Sequence, residues 1–162
     1  MNYPREVVRS VEEAHFKKEY RPVVVMIIQD ALGRVLFVCS TKNKNEWYLP
    51  QGGIDENELA IEALFRETEE ELGIPRKELG TPHYLGEEDL DAEKTRADKR
   101  GFSKGKRYFF FKLSYVGPSR QFELNRKEIG GYEWVARGDI VQILFTTRSE
   151  KRSLIVKWLE KL

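Results

Sequence analysis

Short apolar runs separated by polar, turn-forming residues occur along most of the chain, and this alternation predicts several β-strands. The stretches that predict strands are, in chain order, residues 23–28, 35–39, 47–49, 83–85, 107–116 and 132–135. Residues 30–33, Asp-Ala-Leu-Gly, join the first two stretches, and their turn chemistry predicts a β-hairpin. Cys39 lies inside the second stretch, where we expect it to be a small buried hydrophobe.

Apolar residues at helical spacing predict four helices. The clearest covers residues 59–72, whose strong helix formers end at Gly73, with Pro75 shortly after. The other three are a short amphipathic helix near the N-terminus and helices over residues 139–145 and 149–162. Residues 87–105 carry 11 charged residues among 19 and lie between two predicted strands, which predicts either a functional loop or a disordered one.

Length and composition bound the class of protein. A chain of 162 residues favours one domain, and we expect residues 1–162 to form it. Hydrophobic residues make up 40% of the chain, which is too much for a disordered protein. The single cysteine excludes an intramolecular disulfide and a cysteine-rich zinc module. No apolar run approaches the roughly 18 residues that a membrane span needs, so we expect a soluble, cytoplasmic protein outside the membrane.

The net charge of +1 conceals an uneven distribution of charge along the chain. Residues 51–90 carry 12 acidic and 3 basic side chains, a net of −9. Residues 91–162 carry 17 basic and 9 acidic side chains, a net of +8. A basic body around an acidic segment can attract an anion while it holds divalent cations. The alternative is a solvated acidic helix face followed by a basic tail.

Three carboxylates of the helix predicted at residues 59–72 share one face. A helix advances about 100° per residue, which places Glu67, Glu70 and Glu71 within an arc of about 100°. Hard divalent cations such as Mg²⁺ prefer oxygen ligands of this kind. The opposite face is apolar, so the helix can dock and hold the carboxylates in place. A run of Glu is also typical of a solvated face, and that alternative stays open.

The surroundings of these carboxylates resemble the Nudix box, G-x5-E-x7-R-E-U-x-E-E-x-G-U, where U is aliphatic. Gly52 is followed after five residues by Glu58, and after seven more by R-E-T-E-E-E-L-G-I at residues 66–74. Every fixed letter stands at its spacing, and Thr68 is the one departure, at a usually aliphatic position. The resemblance implies a Nudix-type α/β/α sandwich with a central mixed sheet and a loop-helix-loop catalytic motif. It also implies that Glu58 and Arg66 form an internal ion pair that shapes the loop.

The Nudix resemblance further implies a metal site and a reaction. Glu67, Glu70 and Glu71 are implied as the catalytic, metal-binding set. The carbonyl of Gly52 is implied as a further ligand of Mg²⁺ or Mn²⁺. Cleavage of a phosphoanhydride requires neutralised phosphate oxygens and an attacking water of lowered pKa, and clustered metal ions supply both. The general base is open between a box glutamate and a carboxylate from a later loop.

The resemblance extends to the branch of the family that contains bacterial RNA pyrophosphohydrolases and asymmetric diadenosine tetraphosphate hydrolases. The segments that carry it are Y-R-P at residues 20–22, W-Y-L-P-Q-G-G-I at 47–54, G-K-R-Y-F-F at 105–110 and K-E-I-G-G-Y-E-W at 127–134. Tyr48 stands where the branch usually has Gln. Lys127 and Ile129 stand where it has Pro and Phe. Residues 1–19 and the charged stretch at 87–105 lie outside the resemblance.

This branch implies contacts to the substrate from outside the box. The residues implied to bind substrate are Arg21, Gln51, Lys106, Arg107 and Tyr108. The three basic side chains suit phosphates, and the tyrosine ring suits stacking on a base. Glu128 is implied as an additional metal ligand or base. The alternatives are solvated surface charges for the polar residues and a place in the core or on the strand surface for the tyrosine.

Taken with the resemblance, the sequence predicts a Nudix pyrophosphohydrolase that depends on Mg²⁺ or Mn²⁺. The expected substrate is a dinucleoside polyphosphate of the diadenosine tetraphosphate type, or the 5′-triphosphate end of RNA with release of pyrophosphate. The basic balance of residues 91–162 favours RNA slightly. The alternatives are a Nudix hydrolase of diphosphoinositol polyphosphates or nucleotide sugars and a catalytically silent Nudix-fold binding module. We expect no obligate protein partner.

Overall fold

A computed structural model describes residues 3–92, 100–147 and 149–162, and its elements follow most of the predicted pattern. The helices are α1 (Arg5–Lys17), α2 (Ala60–Leu72), α3 (Ile140–Leu144) and α4 (Ser149–Leu159). The strands are β1 (Tyr20–Gln29), β2 (Val35–Ser40), β3 (Trp47–Tyr48), β4 (Gln51–Gly53), β5 (His83–Asp91), β6 (Gly105–Ser114) and β7 (Ile129–Val135). Two 3₁₀ turns cover Arg76–Glu78 and Arg137–Asp139. None of the described helices has the length and apolar character needed to traverse a lipid bilayer.

The strands form one mixed sheet. β3, β2, β1, β6 and β5 lie side by side in that order, while β4 also pairs with β1 and β7 with β2. β1 and β2 are antiparallel and form the predicted hairpin. β1 and β6 run parallel along their whole length, and this register places Arg21 directly beside Lys106. Two basic residues that are distant in sequence therefore meet at one end of the sheet.

The two faces of the sheet build two apolar cores. Successive side chains of a strand point to opposite faces, and the unbroken apolar runs of β1, β2 and β6 show that both faces are buried. One core contains Met26 and Phe109 and is covered by α1 and α2. The other contains Phe37 and Phe110 and is covered by α3 and α4. The predicted α/β/α sandwich with a central mixed sheet is confirmed, and Cys39 is buried as expected.

The loop predicted for residues 87–105 is shorter than expected. β5 continues to Asp91, because residues 87–91 pair with residues 105–109 of β6. An ion pair across the two strands, from Arg107 Nε to Asp89 Oδ1 at 2.7 Å, stabilises this charged segment as a strand. Residues 93–99 of the predicted loop lie outside the described residues. The predicted helices at 139–145 and 149–162 are also shorter, because a 3₁₀ turn precedes α3 and α4 ends at Leu159.

Candidate functional site

Helix α2 is fixed in place by its ends and its buried face. At its start, the Glu62 carboxylate accepts the Leu59 N–H at 2.9 Å. At its end, Gly73 adopts a left-handed φ of +62° and its N–H donates to the Glu69 carbonyl. Thr68, the departure from the Nudix pattern, is fully buried, and its hydroxyl donates to a helix carbonyl at 3.0 Å. The threonine therefore serves a core position without an unpaired polar group.

The implied ion pair between Glu58 and Arg66 is present and ties the loop before α2 to the helix. Arg66 Nε donates to Glu58 Oε1 at 2.8 Å, and Nη2 donates to Glu58 Oε2 at 2.9 Å. Arg66 Nη2 also donates to the Gly53 carbonyl at 2.9 Å. Burial acts to raise the pKa of Glu58, but the hydrogen bonds from Arg66 and from the Asp55 N–H outweigh it and lower that pKa.

Glu67 lies directly against the backbone of β4. A Cβ atom built on Gly52 would stand 2.1 Å from the carboxyl carbon of Glu67, so any larger residue at this position would displace that carboxylate. Gly52 is itself held in the sheet opposite Val24 of β1. The Glu67 side chain is 13% exposed. Strand β4 and helix α2 therefore meet at a carboxylate that is nearly covered.

A loop between β6 and β7 brings Glu128 to the end of α2. The Asn125 N–H donates to the Glu71 carbonyl at 2.9 Å, and the Thr41 N–H donates to the Glu128 carbonyl at 3.0 Å. These bonds hold the loop between α2 and β2 and place two carboxyl groups in contact. Burial, the hydrogen bond to Glu128 and the nearby charge of Glu67 raise the pKa of Glu71 to about 9. Burial and the contact with Glu128 therefore favour the protonated form of the Glu71 carboxyl group.

These elements enclose a cavity of about 390 Å³, which we call the carboxylate cavity. Of the residues predicted from the sequence, it brings together Arg21, Gln51, Gly52, Glu67, Glu70, Glu71, Lys106 and Glu128. The acidic residues come from α2 and the β6–β7 loop, and the two basic residues come from the paired strands β1 and β6. A polyphosphate and divalent cations could both be bound in such a space.

The structure does not bring Arg107 and Tyr108 to this cavity. Adjacent residues of a strand point to opposite faces, so Arg107 points away from the side that Lys106 occupies. Arg107 instead pairs with Asp89, with its two bonds at 2.7 and 3.0 Å. Tyr108 is 3% exposed and lies among core residues beneath α4. A base could stack on the Tyr108 ring only if α4 moved.

Other residues that the sequence did not single out also line the cavity. Asp55, Arg100 and Asn125 are among them, and Arg100 Nη1 lies 3.2 Å from Asp55 Oδ1. Asp55 stands at a variable position of the Nudix box, and Arg100 and Asn125 lie outside every motif that the sequence shows. A second cavity, of about 290 Å³, adjoins the first and shares Gln51, Glu71 and Glu128 with it. Its lining includes Tyr48 and Lys151.

The donor chemistry of the carboxylate cavity fits a hard divalent cation. Within the described part of the chain, no three His, Cys, Asp or Glu side chains converge closely enough to hold a metal ion as they stand. Arg66 supplies a positive charge beside two of the carboxylates, because its Nη1 lies 2.7 Å from Glu67 Oε1 and 3.4 Å from Glu70 Oε2. Burial nevertheless raises the pKa of Glu67, as it does that of Glu71. A bound cation would lower both pKa values.

Several curated proteins that are similar in sequence to this chain bear the name RNA pyrophosphohydrolase. The protein of that name from Haemophilus influenzae (strain 86-028NP) is 32% identical over 124 residues, which are 72% of this chain and 62% of that protein. The one from Alkalilimnicola ehrlichii (strain ATCC BAA-1101 / DSM 17681 / MLHE-1) is 33% identical over 143 residues, 83% of this chain and 78% of that protein. The chain therefore spans about 62% of the length of its Haemophilus relative.

Solved structures share the fold. The E. coli dihydroneopterin triphosphate pyrophosphohydrolase superposes with a TM-score of 0.67 at 20% identity, covering 89% of this chain and 99% of that one. A C. elegans Ap4A hydrolase in a binary complex superposes with a TM-score of 0.59 at 24% identity, covering 85% of this chain and 96% of that one. The family model of the NUDIX domain matches residues 19–159, which include every strand of the sheet and the whole carboxylate cavity. The chain therefore belongs to the Nudix family.

Proposed function

We propose that this protein is a metal-dependent hydrolase that cleaves a phosphoanhydride bond in a nucleoside polyphosphate. The observation that carries the proposal is the carboxylate cavity, where four glutamates and the basic pair Arg21 and Lys106 line one space. Carboxylates of this kind hold Mg²⁺ or Mn²⁺, and basic groups opposite them suit the phosphates of a substrate. The name RNA pyrophosphohydrolase, borne by relatives at 32–33% identity, supports the same reaction class.

Some residues of the cavity bind the cation and others bind the substrate. The cation ligands are Glu67, Glu70, Glu71 and the carbonyl of Gly52. A bound divalent cation supplies neutralisation of phosphate oxygens and a lowered pKa for a coordinated water. Glu128 is a further ligand or the base that accepts the proton of the attacking water, and its contact with Glu71 supports either role.

Arg21, Lys106 and Gln51 bind the substrate. The two basic side chains are neighbours in the β1–β6 register and contact consecutive phosphates of a chain. Gln51 stands where the carboxylate cavity joins the adjoining cavity, so it contacts the substrate between its phosphates and its nucleoside.

The substrate is a dinucleoside polyphosphate or the 5′-triphosphate end of RNA. Both present a nucleoside beside a chain of phosphates, and the adjoining cavity offers space for that nucleoside next to the carboxylates. Tyr48 contributes an aromatic ring there, with Lys151 Nζ 5.6 Å from the ring centroid. The Haemophilus relative is named an RNA pyrophosphohydrolase and the C. elegans structural neighbour an Ap4A hydrolase, so both substrates belong in the test.

A substrate panel with matched variants tests this function. The wild type is assayed with Mg²⁺ or Mn²⁺ on diadenosine tetraphosphate, 5′-triphosphorylated RNA, ADP-ribose and a diphosphoinositol phosphate. Glu70→Gln removes a carboxylate whose side chain is 60% exposed, so folding is preserved, and we expect kcat to fall on the order of a hundredfold. Glu69→Gln is the control, because Glu69 is an exposed neighbour on α2 that does not line the cavity.

Two results would contradict the proposal. If the wild type hydrolyses none of the four compounds with either metal, the protein is a binding module or acts on another substrate. If Glu70→Gln retains the turnover of Glu69→Gln, the α2 carboxylates do not carry the reaction. Turnover of ADP-ribose or of the diphosphoinositol compound alone would contradict the proposed substrate class. The protein would still be a hydrolase.

A further inference from the structure

Helix α1 precedes the part of the chain that the family shares, yet it contacts the loop of the Nudix box. The NUDIX domain model begins at residue 19, after α1 ends at Lys17. Val7 and Val11 of α1 are buried in the core that α2 also covers. The last turn of α1 reaches the residues that follow β4 and lead into α2. A segment from outside the family pattern is thus built into the surroundings of the carboxylate cavity.

The contact is made by His15. Its Nε2 lies 3.0 Å from the carbonyl oxygen of Ile54. A carbonyl oxygen can only accept, so Nε2 carries the proton and donates it. The edge of the ring meets Phe102, with the ring centroids 5.8 Å apart and the planes at 68°. Ile54 is 1% exposed and Phe102 is 3% exposed, so the imidazole is held between two covered groups in one orientation.

Ile54 ends a short backbone segment, residues 52–54, that is held by hydrogen bonds from several elements. Its N–H donates to the Pro22 carbonyl of β1 at 3.0 Å. The preceding carbonyl, of Gly53, accepts from Arg66 of α2 at 2.9 Å. His15 adds a hydrogen bond from α1 to the next carbonyl. Residues 52–54 are therefore positioned by β1, α2 and α1 together, and Glu67 packs against the first of them.

We propose that His15 is a positioning residue for the reaction. Its hydrogen bond to the Ile54 carbonyl holds residues 52–54 at a fixed distance from the carboxylates of α2. Errors of about 1 Å in such a site can cost on the order of a hundredfold in rate, so a single backbone anchor has a measurable effect. His15 does not line the carboxylate cavity, so it would act on the reaction through residues 52–54. This inference rests on the proposed function for its kinetic part.

Two substitutions separate the hydrogen bond from the packing of the ring. His15→Leu keeps an apolar side chain beside Phe102 and removes the donor. His15→Gln places an amide N–H near the position of Nε2 and can donate to the same carbonyl. For the leading substrate we expect His15→Leu to lower kcat about tenfold with KM changed less than about twofold. We expect His15→Gln to recover kcat to within about threefold of the wild type.

Hydrogen–deuterium exchange gives a readout that needs no substrate. In the metal-free protein, a peptide covering residues 50–58 should exchange faster in His15→Leu and at the wild-type rate in His15→Gln. Val11→Ala is the packing control, because it removes buried contacts of α1 and retains the His15 donor; it should lower Tm and leave kcat within about twofold of the wild type. Phe16→Ala, at a side chain 90% exposed on the same helix, should change neither quantity.

Several outcomes overturn the inference. The first is a His15→Leu variant whose kcat and exchange rate equal those of the wild type. The second is an equal fall of kcat in His15→Leu and His15→Gln. The third is a fall of kcat in Val11→Ala as large as that in His15→Leu. If the wild type turns over nothing while exchange of residues 50–58 still depends on the His15 donor, the positioning of the loop stands. The proposed function then fails by itself.

Discussion

At the scale of single residues, the close contact between Gly52 and Glu67 constrains the position of a carboxylate in the cavity. A Cβ on Gly52 would stand 2.1 Å from the Glu67 carboxyl carbon, so Gly52→Ala must displace that carboxylate. We expect kcat to fall on the order of a hundredfold. The free energy of unfolding should change by less than about 1 kcal/mol, because the end of a flexible side chain yields rather than backbone.

Gly138→Ala is the matched control for this prediction. A Cβ built on Gly138 meets no atom within 4 Å, and the residue lies in the 3₁₀ turn before α3, away from the cavity. Steady-state kinetics and chemical denaturation of the two variants measure the contrast. A Gly52→Ala enzyme with wild-type kcat would show that the position of Glu67 against β4 is unimportant for turnover.

The Nudix box residues could be predicted from the sequence because local spacing on one helix and its loop fixes their relations. Arg107 shows where such reasoning stops. It follows Lys106 directly, but a strand sends the two side chains to opposite faces, and only one of them reaches the cavity. Tyr108 shares a face with Lys106 and is covered by α4, a segment about 40 residues later whose docking no local pattern reveals.

At the scale of elements, the ion pair of Glu58 and Arg66 joins the loop before α2 to the helix and predicts an acid-dependent stability. Glu58→Gln keeps the shape of the side chain and removes its charge. The Glu58 side chain is 15% exposed and that of Arg66 28% exposed. We therefore expect Glu58→Gln to lower the free energy of unfolding by roughly 2 kcal/mol near pH 7. This is less than the ~3–5 kcal/mol that breaking a fully buried ion pair costs.

The pH dependence of this loss follows from the lowered pKa of Glu58. A carboxyl whose pKa is lower in the folded state stabilises the protein above its unfolded-state pKa and loses that effect as the pH falls through the folded-state pKa. The difference in the free energy of unfolding between wild type and Glu58→Gln should thus reach its full size above pH 4.5 and vanish in stronger acid. Urea denaturation across this range measures it, with the exposed Glu56→Gln as control. A difference that persists at the acid end would mean the pair stabilises through packing alone.

Element boundaries could be predicted where a segment's own composition decided them, and not where pairing with a distant strand did. Gly73 ends α2 through its left-handed conformation, as the sequence indicated. Residues 87–91 have the charge of a loop but form the end of β5, because β6 offers them partners such as Arg107 for Asp89. Helix α1 was expected from its apolar spacing, whereas its hydrogen bond to Ile54 was invisible until the chain was folded.

At the scale of the whole molecule, the two charge excesses meet in one cavity. The segment at 51–90, with its net of −9, supplies the α2 carboxylates, and the segment at 91–162, with its net of +8, supplies Lys106 and Arg100. The near-neutral total therefore results from two groups of opposite charge that line the same cavity. In the proposed function, the acidic group attracts cations and the basic group attracts phosphates.

This arrangement predicts that substrate binding weakens with salt and that Lys106 accounts for part of the effect. KM for diadenosine tetraphosphate should rise as KCl increases from about 50 mM to about 200 mM, because screening weakens each contact between a basic side chain and a phosphate. In Lys106→Gln we expect KM at low salt to be about fivefold higher and its dependence on salt to be shallower. Lys112→Gln removes the same charge from the far end of β6, beside Ile27 and His83, and should retain the wild-type slope. Equal slopes in all three proteins would show that the cavity binds phosphate without Lys106, and would leave Arg21 and the bound cations to carry that role.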